Sequence, residues 1–168
     1  MPIIEGTYIT LQTNAGAPVA GTDEVQTITV TGTPTGGSFR LAFEGLRTAS
    51  IAYNADAAAV DTALEALGSI GAGNVTVAGG PLPGAAVTVT FTGNLGKKAI
   101  GSLIALYSNS LTGGTNPTVT IAETTAGVNA TFRGLGKGTL VIDTTNAKLY
   151  ANTGTALAPT YVVVGTQT

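Results

Sequence analysis

The chain alternates apolar and polar positions over most of its length, and the alternation changes period once. "VQTITVTG" and "GSFRLAFEG" follow the two-residue period of half-buried strands, with Val25, Ile28, Val30, Phe39, Leu41 and Phe43 as the expected core side. "TPTGG", residues 33–37, reads as the loop of a hairpin between them. After "TASIAY" the period lengthens: Ala57, Val60, Leu64 and Leu67 in "NADAAAVDTALEALG" fall on one face of a helix. Asn54 is the expected N-cap, Asp56 sits in the first turn, and Gly68 is placed to stop the last. "NVTVAG", "AVTVTFTG" and "PTVTIAET" return to the strand period, around the turn-rich "GGPLPG". "AIGSLIALYS", residues 99–108, fits a buried strand or a short helix equally well.

These patterns divide the chain into three parts. Residues 1–24 form a lead punctuated by Gly and Pro, with Ile3, Ile4, Tyr8, Ile9 and Leu11 as its apolar positions. Such a segment suits an arm that docks on a neighbour, or a strand added to the domain's own sheet. Residues 25–126 make one α+β domain, mostly β: an antiparallel sheet packed by one main helix. Residues 127–168 make a small C-terminal β-meander from "GTLVID", "AKLYAN" and "TYVVVG". A turn through Thr144, Thr145 and Asn146 joins its first two strands, with Asp143 placed to cap it. Its first and third strands have almost no polar face, and some forty residues without disulfides rarely stabilise themselves. Those faces need the main domain or other subunits. Leu140, Ile142, Leu149, Tyr150, Tyr161 and Val163 are the expected contact residues there, with Ile3, Ile4 and Tyr8 in the lead.

Composition narrows the function. Charged residues are only 10% of the 168, against roughly 25% in an ordinary soluble domain, and thirty threonines help fill the gap. So little charge suits a surface that ends up covered. The net charge of −2 and the seven scattered Lys and Arg give no basic stripe, so no nucleic-acid partner is expected. Nothing approaches the apolar length of a membrane span, and "MPIIEGTYIT" lacks the form of a signal peptide.

Candidate chemistry is sparse. There is no His and no Cys, which removes the usual general base, thiol nucleophile and zinc ligands. Asp61 and Glu65 share a helix face away from the apolar stripe and read as solvated; Asp23–Glu24 reads as a polar loop. "GNLGKKAIG" and "GLGKGT" put Lys after Gly, but neither has the spacing of a phosphate-binding loop. No catalytic, metal or cofactor site is expected, and an enzyme is the weakest reading.

The block "GTPTGGSFRLAFEG…ASIAYNADAAAVDTALEAL…IGAGNVTVAGG…VTVTFTGNL…LTGGTNPTVTIAETTAG" resembles a module of virion proteins in tailed phages of actinobacteria. The terminal "GTLVIDTTNAKLYANTGT…PTYVVVG" looks like a short β-unit found at the ends of phage capsid and fibre chains. The resemblance implies a head decoration (cement) protein on the outer surface of the capsid, made in the host cytoplasm. It further implies the major capsid protein and the chain itself, as a homotrimer, as partners, and no catalytic residue. A tail or fibre component and a bacterial surface adhesion module are the alternatives.

Overall fold

A computed structural model describes residues 11–166. In chain order the elements are β1 (Leu11–Asn14), β2 (Val25–Thr31), β3 (Gly36–Phe43), β4 (Leu46–Arg47), β5 (Ile51–Ala52) and α1 (Ala57–Glu65). There follow β6 (Val75–Gly79), β7 (Val87–Phe91), β8 (Ala105–Thr112), β9 (Thr118–Thr125), β10 (Leu140–Asp143), β11 (Lys148–Asn152) and β12 (Tyr161–Thr166). The protein is mostly β, with antiparallel pairing in all but one ladder among the described residues. The chain forms two compact units: a main unit, Thr22–Val128, and a terminal unit that joins the residues before it to those after it.

The main unit holds a sheet in the order β6-β7-β2-β9 and a second sheet centred on β3, which pairs with β8, β4 and β5. One core gathers Ile28 and Val30 of β2, Val87, Val89 and Phe91 of β7, and Phe39, Leu41 and Phe43 of β3. The Phe43 and Phe91 rings pack with centroids 5.5 Å apart, tilted by 34°. Val60, Ala63 and Leu64 of α1 complete this core. The outer side of the first sheet is lined with threonines, four of whose hydroxyls bond locally. Thr88 and Thr120 donate to the carbonyls of Ala78 and Thr29, and Thr27 and Thr124 meet at 3.1 Å. That is how a face with almost no charge remains hydrogen-bonded. The ends of the unit meet: Thr22 and Val128 exchange two backbone hydrogen bonds, each 3.0 Å.

Several local expectations are corrected. The N-cap of α1 is Asp56, not Asn54: Asp56 has extended backbone, and its Oδ1 accepts from the Ala59 N–H at 2.9 Å. The helix ends at the Ala66 cap, and the chain leaves through successive tight turns at Leu67 and Ile70. Gly68 therefore lies past the end, and the first left-handed glycine is Gly71 at φ 75°. Val25 is not a core residue. The buried positions around it are Glu24, Gln26, Ile28 and Val30, so Val25 falls on the other face of the same alternation. The segment 99–108 is neither a helix nor a continuous strand: it is irregular up to Ile104, and β8 begins at Ala105.

The terminal unit is one four-stranded sheet, β1-β10-β11-β12. β1 runs parallel to β10, with Leu11 aligned to Leu140 and Asn14 to Asp143. Part of the segment expected to reach out as an arm is thus an edge strand of the chain's own sheet. Beyond it, Val19 and Thr131 exchange hydrogen bonds through the Val19 N–H and carbonyl.

Candidate functional site

The buried polar side chains at the start of β2 are committed to structure. Glu24 and Gln26 occupy the end of the β2 core face, 2% and 0% exposed. Gln26 donates from Nε2 to Glu24 Oε1 at 2.7 Å, and its Oε1 accepts from the Ile104 N–H at 2.7 Å. Glu24 Oε2 accepts from the Ile100 N–H at 2.8 Å. Asp23 continues the set: Oδ1 accepts from the Lys97 N–H at 2.8 Å, and Oδ2 pairs with Lys97 Nζ at 3.2 Å. The dipeptide expected to be a polar loop is a clamp that pins the irregular stretch 97–104 to the sheet. The signal was legible in the parity of E-x-Q-x-I-x-V, where Glu24 and Gln26 share the face of Ile28 and Val30.

The helix carboxylates hold no site. Glu65 accepts from the Gly73 N–H at 2.6 Å. Asp61 is raised from the ordinary carboxylate range, by burial first and then by neighbouring Glu65, against the opposing hydrogen bond from the Val77 backbone. Among the described residues no three His, Cys, Asp or Glu gather closely enough to hold a metal. No helix among them is long and apolar enough to cross a membrane. A hollow of about 660 Å³, open to solvent, is lined by Leu46, Arg47, Leu67, Gly68 and Tyr107. The Arg47 guanidinium sits 5.2 Å from the centre of the Tyr107 ring, so that ring already carries a cation on one face.

The terminal unit presents the distinctive surface. Cross-strand partners share a face, so the registers sort its residues into two sets. On one face, Gln12, Val141, Tyr150 and Val163 align, flanked by Asp143 with Lys148 and by Asn152 with Tyr161. The unit's own loops cover this face around Asp143 and Asn152, while Val163 at its β12 edge is 53% exposed. Asn152, 2% exposed, donates to the Leu135 and Gly136 carbonyls and accepts from the Gly154 and Thr160 N–H groups. The Tyr161 hydroxyl donates to the Thr131 carbonyl, and burial pushes its phenol up from the usual range.

Asp143, fully buried, accepts from the Thr145 and Asn146 N–H groups at 3.0 Å and from Asn146 Nδ2 at 2.8 Å. Burial works to raise this carboxyl, but these bonds and one from the Gly16 backbone outweigh it and hold it below the ordinary range. The turn carries its left-handed residue at Ala147 (φ 51°), just past the expected turn Thr144, Thr145 and Asn146.

On the opposite face, Leu11, Leu140, Ala151 and Val162 align in one row, with Thr13, Ile142 and Leu149 in the next. No residue of either row is charged. Leu11 is 56% and Val162 46% exposed, and Leu140, Ile142, Leu149 and Ala151 are half-buried. The six contact residues expected in this unit therefore divide. Leu140, Ile142 and Leu149 lie together on the open face, whereas Tyr150, Tyr161 and Val163 lie on the opposite one, Tyr150 and Tyr161 half-buried and Val163 exposed. Ile3, Ile4 and Tyr8 lie outside the described residues. Sequence reasoning missed Leu11, Ala151 and Val162, because membership of this face depends on pairings between distant segments.

The chain matches no protein-family model. It is 38% identical over 146 residues to a tail sheath protein of Mycobacterium phage Bxz1, a match covering 84% of this chain. It spans only 24% of that protein's length. A solved structure from Mycobacterium phage Patience aligns with a TM-score of 0.46 at 16% identity, over 88% of this chain and 57% of the other. The sheath similarity relates the chain to a structural protein of a phage virion.

Proposed function

We propose that this chain is a non-enzymatic structural component of a phage particle, carried on the tail. The observation that supports this reading is the 38% identity over most of the chain to part of a mycobacteriophage tail sheath protein. The sites agree with it. The clusters at Asp23–Glu24–Gln26, Glu65, Asp143 and Asn152 each close a turn or pin a loop, and an uncharged apolar sheet face is suited to contact. Repeated along a particle, a small contact of this kind gains strength from the number of copies.

A second reading is decoration of the outer capsid surface, with the major capsid protein as partner. The matched region is about a quarter of the sheath protein, so the module need not carry the sheath's position with it. The charge-poor composition suits a covered subunit in either place. Separating heads from tails of purified particles and probing each fraction for this chain tests both readings. Recovery with tails supports the first, recovery with heads the second, and absence from both overturns the structural role.

A further inference from the structure

We infer that the β12 edge of the terminal unit is a self-association strand that pairs antiparallel with β12 of a second copy of this chain. β12 has one ladder partner among the described residues, β11, so its other edge carries unpaired backbone groups. Exposed edges in monomeric proteins are guarded by Lys, by Pro, by inward-pointing charge or by a β-bulge. Tyr161–Thr166 has no Lys, Pro or charge, and Val162, Val163 and Val164 are 46%, 53% and 53% exposed. The one irregularity is the extra residue Val164, set against the step from Leu149 to Tyr150. Tyr161 to Val163 before it is regular and available for pairing.

A second copy is the occupant that the strand's chemistry selects. An uncharged strand offers nothing to a charged partner and meets no repulsion from itself. Antiparallel pairing about a two-fold axis is self-complementary and closes after two copies, because β12 has only one free edge. Centred on the regular stretch, it sets Val162 opposite Val162 of the second copy and Tyr161 opposite its Val163. Val162 ends the row Leu11–Leu140–Ala151–Val162. The join therefore continues that row, in line, into its counterpart. An edge contact of three residues covers well under the roughly 1,000 Å² of a stable free-standing interface, so the pairing is weak in dilute solution and grows with concentration. The inference concerns the chain alone and stands apart from its position on a particle.

The absence of cysteine allows a direct test on the full chain. Facing antiparallel residues have Cα atoms about 4.5–5.5 Å apart, within disulfide range. Val162→Cys should form a covalent dimer at least about tenfold faster than Asn54→Cys, an exposed site on the main unit. The unmodified protein should sediment as a monomer–dimer mixture that shifts with concentration. Val162→Lys, with its fold verified by circular dichroism, should stay monomeric. Equal cross-linking at the two cysteine sites, a protein monomeric at millimolar concentration, or a trimer indifferent to Val162→Lys would each overturn the pairing.

Discussion

Gln26 and Glu24 meet inside the main unit, Nε2 to Oε1 at 2.7 Å, and each also holds a backbone N–H of the 97–104 stretch. The pair joins an irregular loop to a regular sheet, and neither side chain has solvent to fall back on. Gln26→Leu removes the acceptor for Ile104 and one donor to Glu24, leaving buried groups unpaired. Each such orphan costs about 1–3 kcal/mol, so urea unfolding should show a loss of about 2–4 kcal/mol. Amide exchange at Ile100 and Ile104 should accelerate before exchange in the β2 ladder does.

The assignment of the helix cap separates two neighbouring residues. Asp56→Ala removes the bond to the Ala59 N–H and should cost about 1 kcal/mol. Asn54→Ala, at an exposed position, should change stability by less than about 0.5 kcal/mol. Thermal melts of the two variants check the contrast.

Asp143 makes the terminal unit sensitive to acid. Its folded pKa lies below the ordinary carboxylate value, so the native state binds its proton less readily than the unfolded chain does. The stabilising contribution is full above the unfolded value and is lost as pH falls through the lower folded one. Denaturation followed by Tyr150 and Tyr161 signals should show the terminal unit weakening below about pH 4. In Asp143→Asn the unit should be less stable at neutral pH, and its loss between pH 5 and pH 2 should be smaller.

At the tip of the same hairpin, Ala147 holds a left-handed backbone at φ 51° that glycine adopts without cost to the side chain. Ala147→Gly should stabilise the unit by about 0.5–1 kcal/mol, the relief of strain exceeding the added freedom of the unfolded chain. A shift of the terminal unit's urea midpoint to higher concentration is the readout.

The main unit enters at Thr22 and leaves at Val128, where those two residues pair. A segment whose ends meet and whose core is its own meets the requirements of a separable domain. Residues 22–128 expressed alone should unfold in one cooperative transition. The terminal segment 129–166 expressed alone should not fold, because it lacks β1.

The local half of this architecture was legible. The period of two located most of the strands, the period of 3.6 located α1, and Asp143 stood in the sequence where a turn cap belongs. What could not be read was pairing between distant segments. β1 is four residues of ordinary strand character, and nothing local to Leu11 announces a parallel partner at Leu140. The division of the contact residues was hidden for the same reason: "LVID" and "YVVVG" are apolar at successive positions, so period alone does not assign a face. Val25 shows a different failure. Hydrophobicity alone favours Val25 over its polar neighbours as core, while the alternation running back from Val30 and Ile28 requires Gln26 and Glu24, made tolerable by the loop amides they hold.

The most direct measurement is immunogold labelling of intact particles of the phage that encodes this chain, with antibody to residues 22–128. The account predicts gold along the tails. Gold spread over the heads would select the capsid-decoration reading. Particles that carry no label, while the antibody still recognises the purified native protein, would contradict a structural role in the virion.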